Sequence, residues 1–309
     1  MDGRPLLLAI GGPTASGKTD LAIDLALRLD GEIVNADSRQ IYRGMEIGTA
    51  KPTPAQRATV PHHLLDLALP SEQFTLAQYT QRAHATIREI QGRGTLPLLV
   101  GGTGLYLRAV VQGYVVPEAP PNLDLRRDLE REAAAHGPAA LVERLRAVDP
   151  VAAARIDGRN LRRVIRALEV SLSLGVPFSS LQRREAPYRT LTIVLHGNRT
   201  LLYTRADARL QAMLDAGFEA EVARLLDAGY DPALPAMSAL GYRELAAALR
   251  GEITRAAAIE ATRTHTHDFI RRQITWFKAE RDAQALDIEQ SDLYAAALDL
   301  ARRWRAATP

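Results

Sequence analysis

Eight residues, Gly12-Pro13-Thr14-Ala15-Ser16-Gly17-Lys18-Thr19, carry the spacing G-x-x-x-x-G-K-[ST]. Glycines so placed let backbone N–H groups wrap an anion, and the helix that starts after them adds partial positive charge at its N-terminus. Lys18 supplies a full charge, and the Thr19 hydroxyl can hold a magnesium ion. The only lysines are Lys18, Lys51 and Lys278, against many arginines. A lysine in such a chain suggests that a compact point charge is wanted there. Asp37 ends a short apolar strand, 32–37, where P-loop kinases and ATPases place an acid that binds magnesium or accepts a proton. A turn-forming or helix-capping role is the alternative for it. Thr103 lies between Gly102 and Gly104. The glycines admit a ligand closely, and the hydroxyl can orient a reacting amine or hydroxyl; a plain turn threonine is the alternative. The strand before it ends in glycines, which disfavours an ATPase with an acid at that place. No N-K-x-D segment reads guanine, which argues against a GTPase.

Arginines gather in three places. Arg159, Arg162, Arg163 and Arg166 form one run, with Arg162 and Arg166 on one helical face. Arg205 and Arg209 are also four apart. Late in the chain Arg271, Thr275 and Lys278 share a face, with Trp276 near Arg272. Basic helices with an aromatic nearby suit a nucleic-acid backbone and unstacked bases, although solvated amphipathic helices look the same. His62 and His63 are adjacent, and His265 and His267 lie two apart, so neither pair presents both rings on one side to a metal. These histidines are expected to be structural or substrate-lining.

The elements that must position these groups alternate. An apolar strand at 5–10 leads through the glycines into a helix from Thr19 to Leu29, with Leu21, Ala22, Leu25, Ala26 and Leu29 on one face. Residues 38–73 read as an irregular segment. A helix follows from Leu76 to Gln91, then a strand at 96–100 and the glycine turn. Alternation of this kind predicts an α/β fold, a P-loop core with a parallel sheet and helices on both faces. Ligands bind beyond the carboxyl ends of such strands, so the P-loop, Asp37 and the 101–104 turn should converge on one crevice. Prolines at 116–121 mark a linker. The stretch after it is all-helical in pattern until a strand at 190–195, and the tail from Leu201 reads as several helices. The expected organisation is a core of 1–118 and 188–309 with an inserted helical lobe, 119–187.

Composition sets bounds. The chain has 309 residues, 47% of them hydrophobic, enough for a sizeable core. It has no cysteine, which excludes disulfides and thiolate chemistry. Net charge is +3, a mild lean towards polyanions. No apolar run approaches a membrane span, and no leader pattern opens the chain. A soluble, cytoplasmic protein without membrane association is the expectation.

Several segments together resemble a known family. Gly12 to Thr19, Asp37-Ser38-Arg39-Gln40-Ile41-Tyr42, Gly48-Thr49-Ala50-Lys51-Pro52, Pro61-His62-His63-Leu64-Leu65-Asp66, Gly101-Gly102-Thr103-Gly104-Leu105-Tyr106, Arg166-Ala167-Leu168-Glu169-Val170, Gly241-Tyr242-Arg243 and Arg272-Gln273-Ile274-Thr275-Trp276 are similar to the bacterial tRNA dimethylallyltransferases. The resemblance implies transfer of a dimethylallyl group from its diphosphate to the exocyclic N6 amine of the adenosine 3′ to the tRNA anticodon. It implies that Gly12 to Thr19 grip the diphosphate of dimethylallyl diphosphate, with Mg2+ as cofactor held at Thr19. Asp37 would be the general base, Thr103 the hydroxyl near the amine, and Arg209 (less surely Arg205) the arginine that steadies the leaving diphosphate. The resemblance assigns contacts with the tRNA anticodon stem-loop to Asp37, Ser38, Arg39, Gln40, Thr103, Arg126, Arg162, Arg163, Arg166, Gly241, Tyr242, Arg243, Arg271, Arg272, Gln273, Thr275, Trp276 and Lys278. A monomer is expected. A P-loop kinase with Asp37 as base, and a nucleotide-gated RNA-binding protein, are the other readings.

Overall fold

The computed structural model describes residues 3–114, 122–181 and 185–307. The chain divides into two compact units, Met1–Val111 with Ala186–Pro309, and Gln112–Glu185. The proline-rich linker, and with it the limit expected between 118 and 119, lies outside the described residues.

The first unit begins with β1 (Leu6–Gly11), α1 (Lys18–Leu29), β2 (Gly31–Asn35), α2 (Pro54–Thr59), β3 (His62–His63), α3 (Leu76–Gly92), β4 (Leu96–Gly101) and α4 (Gly104–Val111). The second unit holds α5 (Leu123–His136), α6 (Pro138–Val148), α7 (Pro150–Arg155) and α8 (Leu161–Leu174). The chain then returns to the first unit through β5 (Arg189–His196), α9 (Arg199–Asp215), α10 (Phe218–Asp227), α11 (Tyr242–Leu249), α12 (Arg255–Lys278), β6 (Gln284–Asp287) and α13 (Leu293–Ala306). Among the described residues no helix is long and apolar enough to cross a membrane.

All six strands pair in parallel, in the order β3-β2-β4-β1-β5-β6. The near-continuous apolar run of β1 is what a strand covered on both faces requires. Leu8 and Ile10 pack with Leu21 and Leu25 of α1 and Ala297 and Ala301 of α13. Leu7 and Ala9 pack on the opposite face with Tyr79 and Ile87 of α3 and Leu107 and Val110 of α4. The chain leaves β1 for β2 on one side and later adds β5 on the other, so the sheet order reverses at β1. A crevice beyond the strand ends follows from that reversal.

Residues 38–73 are more ordered than their sequence pattern suggests, since they contain α2 and β3. A buried ammonium anchors them. Lys51 Nζ, on a side chain 1% exposed, donates to Tyr42 O (2.6 Å), Glu46 Oε1 (2.7 Å) and Asp66 Oδ1 (2.5 Å). The buried Glu221 carboxylate of α10 accepts from the amides of Glu46, Ile47 and Gly48 and from the Tyr242 hydroxyl. The tail also differs from its helical pattern, because β6 adds an edge strand with only Leu286 buried.

The second unit has its own core of Leu129, Leu141, Leu145, Val164 and Leu168. Glu169, fully buried on α8, holds it to the start of α5. Its carboxylate accepts from Arg126 Nε (2.8 Å) and Nη2 (2.9 Å), Arg166 Nη1 (2.5 Å) and the Asn122 amide (2.7 Å). Burial pushes this carboxyl up, but the two arginines and the amide outweigh it and hold it below its ordinary value of 4.5. Its contribution to stability is therefore complete above that value and is lost as pH falls through the lowered folded one. Glu169→Gln removes the charge from these bonds, which are worth about 1.5–3 kcal/mol each. We expect a loss of roughly 2 kcal/mol in chemical denaturation at pH 7; an unchanged midpoint would mean the carboxylate is not needed.

Candidate active site

The loop after β1 has unusual backbone angles. Gly12 has φ 151°, and a Cβ there would sit 2.9 Å from Leu195 O. Gly17, at φ 81°, caps α1, which starts at Lys18. Ala15, at φ 67°, is the exception, because left-handed backbone costs a non-glycine residue about 1–2 kcal/mol. Strain of this kind persists where neighbours hold it and gathers at functional sites. Within the loop the Ser16 hydroxyl is buried without a partner. The Thr19 hydroxyl makes no side-chain hydrogen bond among the described residues. Lys18 Nζ folds back onto Pro13 O (2.9 Å).

Asp37 follows β2, held by a residue the sequence reading passed over. Asn35 is buried; its Nδ2 donates to Asp37 O (3.3 Å) and Leu64 O (3.2 Å), and its Oδ1 accepts from Asp37 N (3.2 Å). A polar residue ending an apolar strand was the signal available for it. Tyr79 OH donates to Asn35 O (3.0 Å), and the Tyr79 ring stacks on Tyr106 at 3.8 Å. Asp37 Oδ1 accepts from Arg39 N (2.8 Å), and the other oxygen makes no hydrogen bond among the described residues. The turn after β4 closes on this segment. Gly101 abuts the Ala36 backbone so closely that no Cβ fits. Thr103 Oγ1 accepts from Ser38 N (3.0 Å) and donates to Ser38 Oγ (3.2 Å).

Helix α12 lies over these strand ends. Gly11, Gly102 and Gly104 make room for Phe277, Gln273 and Trp276 respectively, with which a Cβ would collide. Arg209, on α9, is half-buried and makes no hydrogen bond or ion pair among the described residues, whereas Arg205 is exposed.

The charges interact. Burial and then Arg209 push the Lys18 ammonium down to about 8, with Asp37 opposing. Burial likewise lowers Arg209, with Asp37 and Asp20 opposing. Two crowded cations beside one carboxylate suit an anion bearing more than one negative charge.

The remaining expected residues fall into two groups. Several are occupied by the protein itself. Gln40 Nε2 donates to Thr49 O and Ala50 O, Arg39 Nη1 to Pro235 O (2.8 Å), and Arg243 to Pro232 O (2.9 Å) and its neighbours. Arg126 and Arg166 serve Glu169. The Tyr242 side chain is not available for the expected RNA contact: it is fully buried against Phe218, with its hydroxyl donating to Glu221 (2.6 Å). Gly241, at φ 88°, starts its helix, and a Cβ there would meet the Phe218 ring. The other group faces solvent. Arg162 and Arg163 are exposed on α8. On α12 Arg271, paired with Asp268, joins Arg272, Thr275, Trp276, Ala279 and Arg108 of α4 around an open depression of about 460 Å³. Lys278 is exposed at the end of that helix. The Arg108 guanidinium lies 4.4 Å from the Trp276 ring centre and pairs with Glu280; no spacing rule pointed to it. His63 bonds Glu32 (2.6 Å), His265 bonds Glu244 (2.6 Å), and His267 bonds Asp207 (2.9 Å) while stacking on Tyr203. Among the described residues no cluster of acids and histidines could hold a metal.

Comparisons with known proteins show which chains this one is similar to. The family model described as IPP transferase matches residues 40–280. A tRNA dimethylallyltransferase of Chloroflexus aurantiacus is 56% identical over 273 residues, 88% of this chain and 92% of that one. The crystal structure of a full-length tRNA isopentenylpyrophosphate transferase from Bacillus halodurans superposes with TM-score 0.74 at 37% identity, covering 97% of each chain. A eukaryotic dimethylallyltransferase acting on tRNA gives TM-score 0.83 at 25% identity, covering 99% of this chain and 80% of that one.

Proposed function

This chain belongs to the IPP transferase family, and we propose that it transfers a dimethylallyl group from dimethylallyl diphosphate to the N6 amine of the adenosine 3′-adjacent to a tRNA anticodon, releasing diphosphate. The observation that carries the reading is the glycine-lined turns after β1 and β4 closing beside Asp37, with Lys18, Arg209 and Asp37 near enough to influence one another's charge.

In this reading the loop amides and Lys18 bind the diphosphate, and Arg209 gains in it the anionic partner it otherwise lacks. The N6 amine attacks the first carbon of the dimethylallyl group. The N–C bond forms, the C–O bond breaks, and its electron pair leaves with the diphosphate. The N6 proton passes to the free oxygen of Asp37. Thr103 Oγ1 retains a lone pair that can accept the second N–H of the amine, aiming its nitrogen. Base removal matters because an adenine amine is a poor nucleophile, and fixed positive groups matter because negative charge grows on the leaving oxygen. Hard oxygen donors suit Mg2+, which retains waters and takes few protein ligands; Thr19, with its unpartnered hydroxyl, fits that role. Bound there, the ion would neutralise charge on the diphosphate.

The target base must leave its stack, at a cost of a few kcal/mol. In the same reading, basic side chains that grip the anticodon stem-loop offset this cost, and Arg162 and Arg163 are free to do so. Arg162→Glu with Arg163→Glu should weaken stem-loop binding and flatten the salt dependence by about one to two phosphate contacts, each worth about 0.7–0.9 in slope. An unchanged slope would remove these residues from the interface. The function itself is tested by incubating the protein with stem-loop RNA and either dimethylallyl diphosphate or ATP. Prenylated adenosine is the expected product. Phosphate transfer from ATP without prenylation would overturn the reading, and RNA binding without turnover of either would point to a non-enzymatic role.

A further inference from the structure

Gln273 stands in the basic, aromatic segment of α12, yet it is turned inward and is only 5% exposed. Its Oε1 accepts from the Thr14 backbone amide (2.8 Å) in the phosphate loop. Its Nε2 donates to Gly102 O (2.9 Å) in the turn after β4. A backbone amide can only donate and a carbonyl can only accept, so a single orientation of the Gln273 amide satisfies both partners. Glycine at 102 is needed for this contact, since a Cβ there would lie 2.6 Å from Nε2. The residue after Thr14 is Ala15, whose left-handed backbone persists only where its neighbours hold it. The bonds available to do so are those of Ser16 N (3.3 Å) and Lys18 Nζ (2.9 Å) to Pro13 O from the loop's own residues, and that of Gln273 from outside it.

We propose that Gln273 is a positioning residue for the diphosphate loop rather than a contact for RNA. By fixing the Thr14 peptide it sets the direction of the amides that follow, and by holding Gly102 at the same time it keeps the loop in register with the turn that carries Thr103. The neighbours Arg272 and Trp276 face the outer depression, so the segment divides its work by helical face. The donor's identity rests on the reading above, but the loop's grip on a diphosphate can be measured without it.

The test uses the full chain, with inorganic diphosphate and an anticodon stem-loop titrated separately. Gln273→Met removes both hydrogen bonds at similar volume, and Gln273→Glu keeps an acceptor for Thr14 while setting a carboxylate against Gly102 O. Both should weaken diphosphate binding about tenfold or more, equivalent to about 1.4 kcal/mol, and raise the KM for dimethylallyl diphosphate. Stem-loop affinity should stay within about twofold of the parent. Gly102→Ala, which displaces Nε2 while residue 273 stays glutamine, should reproduce the diphosphate loss. Circular dichroism establishes that each variant is folded; should either Gln273 variant fail, Gly102→Ala carries the test. Weakened RNA binding with intact diphosphate affinity would overturn the proposal, and so would variants that change neither. Failure of the parent to prenylate RNA would instead count against the function proposed above, while the diphosphate titration still decides the role of Gln273.

Discussion

Asp37→Ala should lower turnover by about 10²- to 10⁴-fold, the usual range for loss of a general base, and leave stem-loop affinity nearly unchanged. Asp37→Asn is the sharper variant. It preserves an oxygen for Arg39 N, and with it the turn, but cannot take a proton at neutral pH. A similar loss in both variants places the effect on proton removal. If Asn restores most of the rate, the carboxylate is needed for shape and not for basicity. A loss of RNA binding comparable to the loss of rate would make Asp37 chiefly a recognition residue. Single-turnover kinetics with preformed RNA complexes separates these outcomes.

Lys18→Met should lower kcat/KM by about 10²- to 10³-fold, the scale seen when one stabiliser of developing negative charge is removed. The pH profile adds a signature. With its ammonium held near 8 in the ligand-free protein, Lys18 loses its proton as pH rises through that value. Diphosphate affinity of the parent, taken relative to Lys18→Arg, should therefore be flat below about pH 7 and fall towards tenfold per unit above about pH 8. Arginine stays protonated throughout and so serves as the reference. A ratio that is level across that range would mean Lys18 does not meet the diphosphate as a titrating ammonium. Stability runs the other way. The folded value lies below the ordinary 10.5, so between about 8 and 10.5 the unfolded chain binds the extra proton, and stability from this group rises with pH there.

Much of the core could be read from the sequence because its signals are local. The buried face of α1 is the face its periodicity marks, Leu21, Ala22, Leu25, Ala26 and Leu29. The glycine-lysine spacing anticipated the sharp loop between β1 and α1 because backbone conformation and residue type are tied at Gly12 and Gly17. What was hidden depends on partners far away in sequence. Glu221 takes its meaning from amides more than 170 residues earlier, and Glu169 from Arg126, 43 residues before it. β3 and β6, at two and four residues, are too short to show a period and exist because a neighbouring strand offers them a ladder. Motif position also misleads about direction: Tyr242 precedes Arg243 and Gln273 follows Arg271 and Arg272 in sequence, yet both point inward. Only the helix in place shows which side faces the sheet.

Lys51 can be regarded as a tethered ion. Its ammonium has the oxygen shell, one carbonyl and two carboxylates, that a loop elsewhere would offer to calcium, but the cation is covalently part of the chain and its occupancy is always one. The order of the segment leading from Asp37 thus does not vary with the supply of divalent metal. Chelation of the metal proposed for the diphosphate should leave this segment standing, so metal depletion is expected to change turnover without disturbing the scaffold that presents Asp37.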